Sequence, residues 1–175
     1  MNNEKILVMN RSKVTVLTQL CVLIGIAVIV PLFHQQALTG PIVNATLFVA
    51  TVLIGAQMGV LVGLIPSIIA LSAGTLPAIL APMVPYIMLS NVILILTFNF
   101  LKSRGYWLAM IVASVLKFVF LFASSSLVIG LLMKKELATS VAVMMSWPQL
   151  LTALTGGMLA WIALKSIATF SQKSD

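Results

Sequence analysis

Charge is what this sequence lacks. Only 7% of its 175 residues are Asp, Glu, Lys or Arg, against about a quarter in an ordinary water-soluble domain. Acids are scarcer still, three against ten Lys or Arg. Glu4, Glu136 and Asp175 all lie outside the long apolar runs, so no carboxylate is available inside a membrane span. Proton- and sodium-coupled carriers usually move their ions on intramembrane acids, and self-powered secondary transport is therefore disfavoured. The chain also lacks a G-x-x-x-x-G-K-[ST] loop, which excludes ATP hydrolysis by that route. With one Cys and one His it cannot build a three- or four-ligand N/S metal site, and no metal or cofactor is expected. Cys21 lies in an apolar run and reads as a small buried hydrophobe rather than a reactive thiol.

What is present is apolar. Hydrophobic residues make up 61% of the chain, and the net charge of +7 comes from basic residues that flank apolar segments. Such flanks set membrane topology; they form no stripe for nucleic acid.

The first apolar run, 14–33, has the length of a spanning helix and follows Lys5, Arg11 and Lys13. It is longer than a signal-peptide core and ends in Pro31-Leu32-Phe33-His34-Gln35 with no small-x-small cleavage site, which predicts a retained helix. The stretch 42–73 carries no charge. As one helix it would reach about 48 Å, well beyond a hydrocarbon core of about 30 Å, so it must fold back. Gly55-Ala56-Gln57-Met58-Gly59 is the expected turn, splitting it into helices near 43–56 and 58–73, either crossing or re-entrant. A fourth helix is expected over 78–101, with Pro82 and Pro85 in its first turns, a fifth over 106–133 and a sixth over 146–164.

The expected fold is thus an all-α membrane protein, one six-helix transmembrane bundle across 1–175 with both termini cytoplasmic. This arrangement puts Lys5, Arg11, Lys13, Lys102, Arg104, Lys165 and Lys173 inside and Lys134 and Lys135 outside, as the positive-inside rule requires. The expected location is the plasma membrane of a bacterial cell.

Polar side chains within spans should face the bundle interior or a wet cavity. Counting helix rise inward from the outer ends, Asn91 and Lys117 both lie roughly 20 Å deep, and Tyr86 and Ser124 roughly 12 Å. Thr152 falls at outer-half depth. Lys117 stands out, because no acid of its own chain can answer an ammonium at that depth. Three roles are open to it: a structural contact to Asn91 or to helix carbonyls, a contact to an anionic or carbonyl group of a ligand, or a contact to another subunit. His34 in the outer loop is either an interfacial residue or part of a lid. Trp147, before Pro148-Gln149, is either an interfacial anchor or a stacking surface. Gly55, Gly59 and Gly63 share a helical face that permits close packing.

The six short helices resemble a substrate-binding S component of an energy-coupling factor (ECF) transporter. The resemblance rests on two runs: Gly40-Pro41-Ile42-Val43-Asn44-Ala45-Thr46-Leu47 and Gly55-Ala56-Gln57-Met58-Gly59-Val60-Leu61-Val62-Gly63. It covers nearly the whole chain and names no substrate. It implies a subunit without catalytic activity that captures a vitamin or related small molecule from outside. That subunit docks on a transmembrane T subunit carrying two ATPase subunits. By the same resemblance the ligand lies among the outer loops and last helices, which makes Tyr86, Asn91, Lys117, Ser124, Trp147, Gln149 and Thr152 the candidate binding residues, followed by Asn44 and His34. Family members often carry Ala-x-x-x-Ala on the first helix for docking. Here Cys21 and Gly25 form a small-xxx-small pair that departs from that pattern, and Gly25, Ala27, Gly59 and Gly63 are the candidate docking positions with Cys21.

Other classes fit less well. An intramembrane serine protease needs Ser and His at matched depth, and the single His lies in a loop with no G-x-S-x-G elbow in the chain. No ring of polar groups recurs as a channel requires. A non-catalytic scaffold or assembly subunit, whose small-residue faces exist only to pack against partners, is the remaining alternative.

Overall fold

The computed structural model describes residues 2–33, 36–72, 74, 78–132 and 141–172, and every regular element among them is helical. Six long helices follow one another: α1 Asn2–Ile29, α2 Gln36–Leu53, α3 Gly55–Ser72, α4 Val84–Leu101, α5 Tyr106–Leu132 and α6 Trp147–Gln172. Four stretches are long and apolar enough to cross a membrane: Lys13–Leu32, Leu80–Arg104, Tyr106–Gly130 and Val141–Thr169. Two shorter apolar helices, Leu38–Leu53 and Gly55–Ile69, lie between the first two of them.

Prolines and glycines set the breaks. The α-helical part of the first segment stops at Ile29 and continues as a 3₁₀ turn, Val30–Phe33; Pro31 has no N–H to give the Ala27 carbonyl. The charge-free stretch folds back at a tighter point than the glycine spacing suggested. Ile54 alone forms the turn, its N–H on the Ala50 carbonyl at 2.9 Å, and Gly55 opens α3 at φ +86°, a conformation that only glycine adopts without strain. Gly59 accordingly sits inside α3 and not in the turn. The fourth segment begins as a 3₁₀ helix, Ala78–Met83, containing Pro82, and becomes α-helical only where Pro85 falls in the first turn, the position that tolerates a missing N–H. Between α4 and α5 the chain turns through Lys102–Arg104 and Gly105, at φ +133°.

Helix α2 is central and packs against α1, α3, α4 and α6, while α5 packs against α4 and α6. The α2–α6 contact is backbone-close. A Cβ built on Gly156 would lie 2.6 Å from Asn44 Cβ, 2.7 Å from the Pro41 carbonyl oxygen and 2.9 Å from Ala45 N, and one on Gly157 would meet Met110 of α5.

The interior has two apolar clusters. One joins Leu47, Phe48, Leu94, Ile95, Phe98, Met110 and Ala113 with Leu23, Ala27 and Ala160. Phe48 meets Phe98 edge-on at 4.9 Å, and Phe98 meets Tyr106 at 5.4 Å; the Tyr106 hydroxyl donates to the Gly157 carbonyl at 2.6 Å. The other joins Leu80, Met83, Leu121, Val128, Val141 and Met145. Along α5 the first cluster ends at Ala113 and the second begins at Leu121. Lys117 lies between them. The outer surface is apolar as well, with Phe100 75%, Leu127 66% and Val14 62% exposed.

Candidate functional site

Between the two clusters, three helices contribute one polar node. Lys117 on α5 is 4% exposed, and its Nζ donates to Asn44 Oδ1 on α2 at 2.6 Å and to Asn91 Oδ1 on α4 at 2.8 Å. Each amide is oriented by a second bond: Asn44 Nδ2 donates to the Gly40 carbonyl at 2.9 Å, and Asn91 Nδ2 to the Gly63 carbonyl at 3.0 Å. The amide oxygens are therefore turned to the lysine and their N–H groups away from it. Gly63 makes this possible, because Asn91 Cβ would be only 3.2 Å from a Cβ at that position. In an apolar interior an unpaired polar group is costly, and this network leaves neither amide unpaired.

The node floors a cavity of about 180 Å³. Its walls come from one end of the bundle: Ala27 and Pro31 from the end of the first segment, Thr39 and Gly40 from the start of α2, Pro66 and Ser67 from α3, Leu80 and Val84 from the start of the fourth, and Pro148, Gln149 and Thr152 from the start of α6. Gln149 Nε2 donates to the Met144 carbonyl at 3.0 Å, and the Thr152 hydroxyl to the Gln149 carbonyl at 3.1 Å. Among the described residues, neither Gln149 Oε1 nor the Ser67 hydroxyl has a protein partner. A larger groove of about 480 Å³ runs between α1, α2 and α6, but its lining, including Val22, Ile26, Val49, Leu159 and Ile167, is almost wholly apolar. It has no convergent polar groups of the kind that orient a small ligand.

Of the residues singled out from the sequence, Asn44, Asn91, Lys117, Gln149 and Thr152 line this one cavity. Three others do not. Tyr86 packs beside the Leu80–Met83 cluster. Ser124 is buried with its hydroxyl on the Phe120 carbonyl of its own helix. Trp147 is 63% exposed. The depth of Tyr86 and Ser124 suited the cavity, but their direction around the helix axis does not. His34 lies outside the described residues.

The small-residue positions divide too. Cys21 is exposed, so the expectation of a buried side chain is corrected: α1 turns Leu23 and Ala27 inward, and Cys21 faces away. Gly25 has no atom within 4 Å of a built Cβ. Ala27 is fully buried, and Gly59 and Gly63 meet Thr51, Ile95, Asn91 and Leu47 of their own chain. These three pack inside the bundle against their own chain.

Sequence reasoning passed over Ser67 and Gly156. Ser67 lies one turn beyond Gly63 on the same face of α3, a signal that was available. Gly156 becomes recognisable only from what it touches. One further polar group lies under the node: Ser114, one turn before Lys117, is fully buried and its Oγ has no partner among the described residues. Ser114→Ala removes an unpaired hydroxyl and is expected to raise stability by about 1 kcal/mol. The check is a higher melting temperature in detergent; a lower one would show that the hydroxyl holds a partner from outside the chain.

Compared with known proteins, the chain matches no family model, no curated protein and no solved structure. The functional reading therefore rests on the geometry of the bundle and its cavity.

Proposed function

We propose that this chain is the membrane-embedded substrate-capture subunit of an ATP-driven uptake transporter of the ECF type. In this reading it binds a vitamin or related micronutrient from outside the cell and docks on a transmembrane T subunit with two ATPase subunits. It catalyses no reaction itself. The observation that carries the reading is a polar-floored cavity walled by one end of an otherwise apolar bundle.

The charge distribution supports a direction. Lys13, Lys102, Arg104 and Lys165 are exposed at the start of the first apolar span, the α4–α5 turn and the last turns of α6, all at the end opposite the cavity. The positive-inside rule turns that end to the cytoplasm and the cavity outward. An apolar outer surface of this extent suits a bilayer and not water. Lys165 Nζ stands 4.1 Å above the Trp161 ring, and Trp107 lies 5.4 Å from Trp161, an arrangement typical of a membrane interface. With no acid in the spans, an energy source outside the chain is needed for uphill transport.

Native mass spectrometry of the gently solubilised complex tests the reading. A retained small molecule, together with a T subunit and ATPase subunits, is the expected spectrum. A folded chain that retains neither rejects it. The internal satisfaction of Asn44 and Asn91 favours a second reading, a scaffold in which the node only ties helices together; partner subunits without any retained small molecule would support that one.

A further inference from the structure

We infer that the cavity recognises a small monocarboxylate, seated with its carboxylate on Lys117 Nζ and its far end toward Gln149 and Ser67. This names the substrate class of the capture site proposed above and rests on that reading.

The argument begins with the lysine's partners. A lysine ammonium has three N–H donors and no acceptor. Two go to the Asn44 and Asn91 amide oxygens, and no third protein acceptor is present among the described residues. Both partners are neutral. Neither amide can turn around, since that would break its bond to Gly40 or Gly63 and set N–H against N–H. The node is thus a rigid clamp that orients the ammonium without neutralising it. An ammonium at this depth calls for a counter-charge, and the acids of the chain, Glu4, Glu136 and Asp175, lie near its ends or in a connecting segment. The uncommitted donor belongs to a residue that lines the cavity.

Charge and size narrow the class. Lys117 is the one charged side chain among the described residues that line the cavity, so one negative charge is matched and a second, as on a phosphate or a dicarboxylate, is not. At about 180 Å³, the space lies below the roughly 300–1,000 Å³ of drug-sized pockets. The distal wall offers an acceptor, Gln149 Oε1, and the Ser67 hydroxyl, which suit a donor group at the far end of the ligand.

Side-chain NMR of isotope-labelled lysine in the full chain, held in nanodiscs, tests the inference with benzoate and its neutral isostere benzamide as probes. Lys117→Arg, which keeps the charge, identifies the Lys117 signal by its disappearance. Benzoate is expected to shift that signal saturably, benzamide to bind at least about tenfold more weakly, as loss of a charge-assisted hydrogen bond implies, and phthalate, a dianion, to bind more weakly than benzoate. No benzoate-dependent shift at Lys117, or an equal response to benzamide or phthalate, overturns the assignment. If Lys117→Arg does not fold, the buried signal is identified by its slow hydrogen exchange and the three probes decide alone. A benzoate-specific shift in a chain that mass spectrometry finds without partner subunits keeps the carboxylate site and removes the transporter reading. Partner subunits with a retained neutral molecule do the reverse.

Discussion

Gly156→Val is expected to prise α6 from α2 and leave little folded protein. Two of the three atoms closest to a Cβ at this position are backbone, the Pro41 carbonyl oxygen at 2.7 Å and Ala45 N at 2.9 Å. No side-chain rotation relieves such a contact. Carbon atoms pack best at about 3.5–4.0 Å, so the third neighbour, Asn44 Cβ at 2.6 Å, has to retreat by about 1 Å. That movement displaces Asn44 and disturbs its bond to Lys117. Overpacking alone costs about 1–3 kcal/mol, and the disturbed hydrogen bond adds to it. The measurement is the melting temperature and the monodisperse yield in detergent, with Gly130→Ala as the control. Gly130 has nothing within 4 Å of a built Cβ, and its replacement, inside a helix, should lower neither quantity. A Gly156→Val protein as stable as the parent would show that α2 and α6 do not approach in this way.

The second large effect is expected at Lys117, and here stability and binding should part. Lys117→Met leaves Asn44 Oδ1 and Asn91 Oδ1 without a donor in a buried site. Each unpaired group costs about 1–3 kcal/mol, so a loss of roughly 2–6 kcal/mol is expected. Replacing all three members, Asn44→Leu and Asn91→Leu with Lys117→Met, removes the unpaired atoms together and should restore most of that stability, since an apolar replacement of a whole buried polar set is close to neutral. Ligand retention should not return. Thermal unfolding in detergent and native mass spectrometry on the same preparations check the two halves. Recovered retention in the triple variant would place the ligand elsewhere; unrecovered stability would mean that the node does more than satisfy itself.

Depth along a helix could be read from the sequence, and direction around it could not. Rise per residue put Asn91 and Lys117 at the same level, and the structure has their side chains 2.8 Å apart. The same counting put Tyr86 and Ser124 at one level, yet neither reaches the cavity. The reason lies in the composition of these helices. A surface helix in water carries a polar face that shows which side is buried; α4 and α5 carry only scattered polar residues on an apolar background, so their sequences hold no continuous polar face. Asn44 illustrates the other gap. It stands 73 positions from Lys117, on a helix whose placement depends on the one-residue turn at Ile54 and on the glycine contact with α6, and neither can be located by spacing alone.

By itself the sequence determined the quantities that depend on composition and length: a helical fold, four stretches long enough to span a bilayer, basic residues that flank the apolar runs, and a lysine with no acid in the spans. Only the tertiary structure decided what that lysine meets. Two asparagines, each turned by a backbone carbonyl, supply neutral acceptors and no counter-charge. Which helix faces meet is set by steric fit at Gly63, Gly156 and Gly157, a property of pairs of surfaces, and no single helical segment contains it.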